Sequence, residues 1–227
     1  MNQVAYLKWF LRWCTKKGYC MNNAYEDFNP KLRSTPKKVI FLTWDELNQL
    51  KNYQIPETKQ YLERVRDVFL FCCFTGLAFC DMKALTYDDI QDDDKGNTWI
   101  RKARAKTGEM CIVPMLEVPR QLILKYAEHP VVKEKGVAMP VITNQKMNAY
   151  LKEIADLAKI KKHLTTHVAR HTFASMSLCN NVSIEVISKM LGHSDIKTTQ
   201  IYAKMQDQAV YDGMATMRSK FNTLQIV

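Results

Sequence analysis

Residues 57–74 read as one long helix whose last turns, Val68, Phe69, Leu70, Phe71, Cys72, Cys73 and Phe74, are almost wholly apolar. A helix end that is apolar on every side has no face to offer water, so the rest of the chain has to be arranged around it. Thr75-Gly76-Leu77 breaks this helix, and a second short helix is predicted over 78–85, ending at Thr86. The chain can enclose such an element: 47% of its 227 residues are hydrophobic and only 7 are Gly and 7 Pro, a composition that excludes general disorder. That length suits one good-sized domain, or one domain with a small appendage. Adjacent Cys72 and Cys73 read as small core residues. The seven cysteines lack paired CxxC spacing, which fits a reducing cytoplasm. No run approaches the ~18 apolar residues of a membrane span, and the N-terminus lacks a signal-peptide pattern.

Two parts are expected. In residues 1–38, Val4, Leu7, Trp9, Phe10, Leu11 and Trp13 fall at mostly helical spacing, but the helix is too short to bury its own aromatics, and it ends at Gly18. It reads as the last helix of a larger helical domain. Residues 29–38 follow as a linker with two prolines, four positive charges and no negative one, either a solvated tether or a strap along a phosphate backbone. The second part, 39–227, opens with Thr43-Trp44-Asp45-Glu46, a capping box ahead of a short helix. Residues 98–103 and 110–113 predict two strands joined around Lys106-Thr107-Gly108-Glu109, and Pro114 stops the second. Helices are predicted over 117–128, 144–159, 166–180, 184–191 and 195–203, with a C-terminal one from about 206. That last helix carries Val210, Met214, Met217, Phe221 and Leu224 for packing on its own domain or on a neighbour. The fold class is mainly α with a small antiparallel β-sheet or hairpin.

Charge narrows the function. With 33 Lys and Arg against 23 Asp and Glu, the chain should seek a polyanion. His167 and Arg170 lie three apart on one helix face, with Thr165 or Thr166 as its cap, so both fall in the first turns, where the dipole favours an anion. Phe173, Ala174, Met176 and Leu178 give the same helix an apolar face, so its polar residues point somewhere fixed. His193 follows a helix that ends at Gly192, and taken alone it could merely satisfy the last carbonyls. Tyr202, taken alone, could be a core aromatic. Together they could neutralise a phosphate, move protons and supply an oxygen nucleophile, the requirements for breaking a phosphodiester through a tyrosine link.

Read as a set, His167-Val168-Ala169-Arg170-His171-Thr172-Phe173-Ala174, then Leu191-Gly192-His193, then Thr198-Thr199 and Tyr202-Ala203 resemble the C-terminal signature of tyrosine recombinases, the phage-type integrases. Upstream, Phe74-Thr75-Gly76-Leu77-Ala78-Phe79-Cys80-Asp81 resembles the family's first box, and Lys106-Thr107-Gly108 its hairpin lysine. The resemblance covers roughly residues 39–210 and implies the tyrosine recombinase catalytic-domain fold. It implies that Tyr202 attacks a DNA phosphorus and holds a 3′-phosphotyrosyl bond, with His167 as proton acceptor or shuttle. Arg170 would hold the non-bridging oxygens with its planar fork. His193 would donate to the same oxygens or orient Tyr202, and Lys106 would protonate the departing 5′ oxygen. Neither metal nor cofactor is called for, since arginine and histidine neutralise the charge.

One position departs from the pattern. The box normally ends in arginine, the second phosphate clamp, and here Ala78 stands in its place. Loss of one preorganised donor costs on the order of 100- to 1000-fold in rate. Some integrases of conjugative transposons resemble this chain in that respect and use an arginine from the upstream helix, which implies Arg66, with Arg64 as the alternative. Arg101, Lys102 and Arg104 beside the hairpin, and Lys159, Lys161 and Lys162, read as phosphate-positioning contacts or as solvated faces. The expectation is a metal- and ATP-independent DNA strand-exchange enzyme, acting on double-stranded DNA and self-associating on paired sites as a tetramer. The alternatives are a DNA-binding accessory protein without catalysis, or type IB topoisomerase-like cleavage.

Overall fold

The computed structural model describes residues 3–22 and 39–203. The linker at 29–38 and the helix expected from about 206 lie outside the described residues. The chain divides into two units, Met1–Lys38 and Val39–Val227.

In the first unit, α1 (Gln3–Lys16) is closed by Gly18, whose φ of 77° turns the chain so that Tyr19 N reaches back to Cys14 O at 2.9 Å. Tyr6, Trp9 and Phe10 on this helix are exposed.

The second unit begins with α2 (Trp44–Asn52), and the expected capping box is present. Thr43 Oγ1 accepts from Glu46 N at 3.3 Å, and Thr43 N donates to Glu46 Oε2 at 2.8 Å. The long helix expected from residue 57 starts later. Glu57–Lys59 is a 3-10 turn, in which Lys59 N reaches back only to Pro56 O, and α3 runs Tyr61–Thr75. Its C-terminal half is buried as its sequence requires, and it packs against α5 (Glu117–Tyr126), α7 (Asn144–Leu157) and α8 (Thr166–Cys179). Between these come α4 (Phe79–Lys83) and α6 (Pro130–Lys135); after them come α9 (Ile184–Met190) and α10 (Lys197–Ala203). The predicted hairpin forms as β2 (Thr98–Ala103) and β3 (Met110–Pro114), and an unanticipated strand, β1 (Ile90–Asp92), pairs with β2 to complete an antiparallel sheet in the order β1-β2-β3.

Two buried polar groups fasten the helices around α3. Asp67 accepts from Lys125 Nζ at 2.6 Å, Tyr126 Oη at 3.0 Å and Arg66 Nε at 3.0 Å, which ties α3 to α5 and satisfies a carboxylate that burial would otherwise penalise. Thr172 Oγ1 accepts from Leu42 N at 2.9 Å and so fixes the entry to α2 against α8.

Candidate active site

Arg170 is the fixed point of the site. Only 3% of it is exposed, and its guanidinium donates from Nη1 to Gly76 O at 2.7 Å and from Nη2 to Leu191 O. It therefore joins the C-terminal end of α3 to the C-terminal end of α9, and those carbonyls hold the fork in one orientation. Gly76 makes this possible. It caps α3 at φ 69°, and a Cβ there would stand 2.5 Å from Phe173 Cδ1 and 2.8 Å from Leu191 Cδ2. A cavity of about 200 Å³ opens in front of Arg170, lined also by His167, Thr166, Asn144, Ala78 and Phe79. The start of α8 faces it. Thr165 occupies the cap position but makes no side-chain capping bond; instead Asn148 Oδ1 on α7 accepts Thr166 N at 2.9 Å. The expected local cap is thus supplied from another helix.

Tyr202 is 3% exposed, and its Oη lies 2.8 Å from His171 Nδ1. The His171 ring in turn meets the His167 ring edge-on, with centroids 4.3 Å apart. His193 does not touch the tyrosine hydroxyl; its Nδ1 lies 2.7 Å from Thr199 Oγ1, three residues before Tyr202 on α10. His193 is thereby tied to α10, the helix that carries Tyr202, and His171 holds the phenolic oxygen itself. Burial is the largest cause for each group and moves the phenol and the imidazoles in opposite senses. The Tyr202 phenol is raised to about 12 by burial and eased by Arg170. Burial and the charges of Arg170 and Arg104 push His193 down to about 4, and burial with His167 and Arg170 does the same to His171. His167, at the exposed edge, is lowered by partial desolvation and then by Arg170, Arg104 and Lys106. Lys106 sits in the exposed hairpin turn, close enough for its charge to act on that ring.

Arg66 is not brought to this cavity. Its Nη1 donates to Tyr53 O at 3.0 Å and its Nε to Asp67 Oδ1, and it lines a separate depression with Tyr53, Ile55 and Glu63. It lies nine positions before Thr75 on α3, roughly 13 Å of helix rise, which is more than an arginine side chain spans. Arg66 is the residue expected to stand in for the arginine missing at Ala78; in this structure it lies apart from the cavity that Ala78 lines. Arg64 is likewise at the other end of α3.

Sequence reasoning gave no role to His171, Asp81, Asn144 or Asn148. The signal for His171 was present in its position four residues after His167, on the same helix face. Asp81 is buried, accepts Ala105 N at 2.8 Å and so pins the hairpin to α4; nothing local in the sequence predicts that partner. Among the described residues no group of three or more His, Cys, Asp or Glu side chains could hold a metal ion, and no helix is long and apolar enough to cross a membrane.

The sequence profile of the phage integrase family matches residues 41–209. The chain is 29% identical over 163 residues to tyrosine recombinase XerA of Saccharolobus solfataricus, an alignment covering 70% of this chain and 53% of that protein. It thus spans about half the length of that curated relative. Among solved structures it is similar to XerA recombinase, with a TM-score of 0.62 and 24% identity over 81% of this chain and 67% of that one. It is also similar to a lambda integrase dimer bound to a COC′ core site, with a TM-score of 0.65 and 14% identity over 86% and 69% of the two chains.

Proposed function

Because this chain belongs to the phage integrase family, the tyrosine recombinases, we propose that it carries the strand-cleaving and strand-joining chemistry of a site-specific DNA recombinase. The observation that carries the reading is the Tyr202–His171 pair beside the cavity that Arg170 backs. A neutral imidazole with its proton on Nε2 presents Nδ1 to the phenolic O–H, and His171 is held neutral at physiological pH. It is the base nearest the nucleophile, with His167 one ring beyond it toward the cavity.

The step balances without a co-reactant. Tyr202 Oη bonds to a DNA phosphorus, its proton passes to His171, and the bond from phosphorus to the 5′ oxygen breaks. Lys106 supplies the proton to that leaving oxygen. Arg170 retains N–H donors beyond its two carbonyl partners for the non-bridging oxygens, and its charge favours the phenolate. Attack by a 5′-hydroxyl on the phosphotyrosine reverses the sequence, so the bond energy is conserved and no nucleotide is consumed. The buried hydroxyl of Tyr202 does not line the cavity, so the reading requires it to be brought to the phosphorus when DNA is engaged. The partners are double-stranded DNA and further copies of the protein on paired sites, assembled as a tetramer in the synapse, in the cytoplasm.

The test is covalent capture. A pool of nicked duplexes with a randomised central segment is incubated with the protein, SDS-stable adducts are recovered, and the enriched duplex is used for rates. An adduct that disappears in Tyr202→Phe supports the reading. Sequence-enriched binding with no adduct from the unaltered protein supports an accessory DNA-binding role instead, and relaxation of supercoils without a second site supports topoisomerase-like action.

A further inference from the structure

Arg104 was expected to lie on the hairpin flank as a backbone contact or a solvated charge. Its side chain is only 13% exposed. Nη1 donates to Gly192 O at 3.0 Å, while Arg170 donates to Leu191 O, the carbonyl one residue earlier. Two guanidiniums thus grip consecutive carbonyls of one turn, next to His193. The path of Arg104 is built for it: Gly192 has a φ of 58°, and a Cβ there would stand 2.8 Å from Arg104 Cδ and 2.9 Å from Cys111 Sγ.

The charges around this pair do not cancel. Among the described residues Asp81 is the carboxylate beside Arg104, with Oδ2 3.9 Å from Nε, and neither of those two buried atoms has a hydrogen-bond partner. Asp81 already spends Oδ1 on Ala105 N. Arg104 and Arg170 therefore stand together with an excess of positive charge in partly desolvated surroundings, and exposed Lys106 adds its charge at His167. Each cation lowers its neighbours' affinity for protons, as Arg104 does to Arg170, His167 and His193. Like charges packed this closely are unfavourable in an empty site and become favourable when an anion sits between them.

The position also answers the vacancy at Ala78. Ala78 caps α4, and Asp81 lies three residues on, on the same face of its first turn. Arg104 is held against that face from the hairpin side. We propose that Arg104 is the second phosphate-clamping arginine of this site, reaching from β2's end the anion that a side chain at position 78 would otherwise hold. The inference rests on the recombinase reading for its substrate, a DNA phosphate, and on geometry for its residue.

Two measurements separate the two. With the enriched nicked duplex, Arg104→Ala is expected to slow adduct formation about 100- to 1000-fold with DNA affinity within about threefold. Arg104→Lys, which keeps the charge but loses the planar fork, is expected to fall between. Ala78→Arg added to Arg104→Ala is expected to restore at least tenfold of the loss, since the cavity in front of residue 78 is open. Independently of DNA, inorganic phosphate binding followed by ³¹P NMR is expected to weaken about tenfold in Arg104→Ala, with the fold checked by circular dichroism. An adduct rate within threefold of the unaltered protein in Arg104→Ala overturns the assignment. If the unaltered protein forms no adduct at all, the recombinase reading fails, and phosphate binding decides alone: unchanged affinity in Arg104→Ala then overturns the anion site as well.

Discussion

The phenolic oxygen of Tyr202 lies 2.8 Å from Nδ1 of His171, which couples α10 to α8 through one hydrogen bond between the proposed nucleophile and a neutral base. Replacing His171 with Ala leaves the buried hydroxyl without its acceptor. Urea unfolding is expected to show a loss of about 1–3 kcal/mol, and adduct formation by folded protein is expected to slow about 100-fold or more. A His171→Ala protein that reacts at the unaltered rate shows that another group takes the proton.

Arg66 gives the opposite pattern. Its guanidinium is spent on Tyr53 O and on buried Asp67, so Arg66→Ala removes bonds that hold α3 in place. We expect a stability loss of about 1–3 kcal/mol with the adduct rate per folded molecule changed less than about threefold. A large loss of cleavage at unchanged stability contradicts the placement of Arg66 away from the phosphate.

Gly76 and Gly136 both sit in the left-handed region, at φ 69° and 62°, but a Cβ at Gly136 would meet nothing within 4 Å. Alanine at 136 is expected to cost about 1 kcal/mol from backbone strain alone. At 76 it must also displace Phe173 and Leu191, adding about 1–3 kcal/mol, and it shifts the carbonyl that orients Arg170. Denaturant midpoints of the two variants, measured side by side, check this; equal losses mean that the contact with Phe173 relaxes freely.

The histidines set a pH dependence of stability. His171 and His193 stay neutral in the folded protein because burial pushes both down to about 4, whereas in the unfolded chain they take up protons near pH ~6.5. The unfolded state binds more protons in that interval, so their contribution is fully present above pH ~6.5 and is lost as pH falls toward 4. Denaturation midpoints of the unaltered protein and of a His171→Gln/His193→Gln variant are expected to differ in slope across that window and to run parallel above it. Parallel curves throughout show that the rings are not desolvated.

What was legible in the sequence is what short-range physics decides. The Thr43–Glu46 capping box, the buried end of α3, the Lys106 hairpin and the helices that carry Arg170 and Tyr202 follow from spacing, capping and apolar periodicity within a dozen residues. Weak local elements escaped. β1 is three residues long, Ile90-Gln91-Asp92, and forms because β2 offers it a partner; α6 is six residues, started by Pro130 and a His129 side chain that accepts Val131 N.

The composition of the site divides along the same line. The sequence by itself determined which residue types the chemistry has to work with: a tyrosine, an arginine, histidines and a hairpin lysine in a recognisable order, with alanine at position 78. Only the tertiary structure decided which of them meet. Arg66 and Arg104 are equally cationic in a sequence, but α3's rise carries Arg66 away from the cavity, whereas the turn at Gly192 admits Arg104 beside Arg170. His171 and Tyr202 are 31 positions apart, and their hydrogen bond exists because α8, α9 and α10 pack on one another. Distances between groups far apart in the chain are set by packing, and no local pattern encodes them.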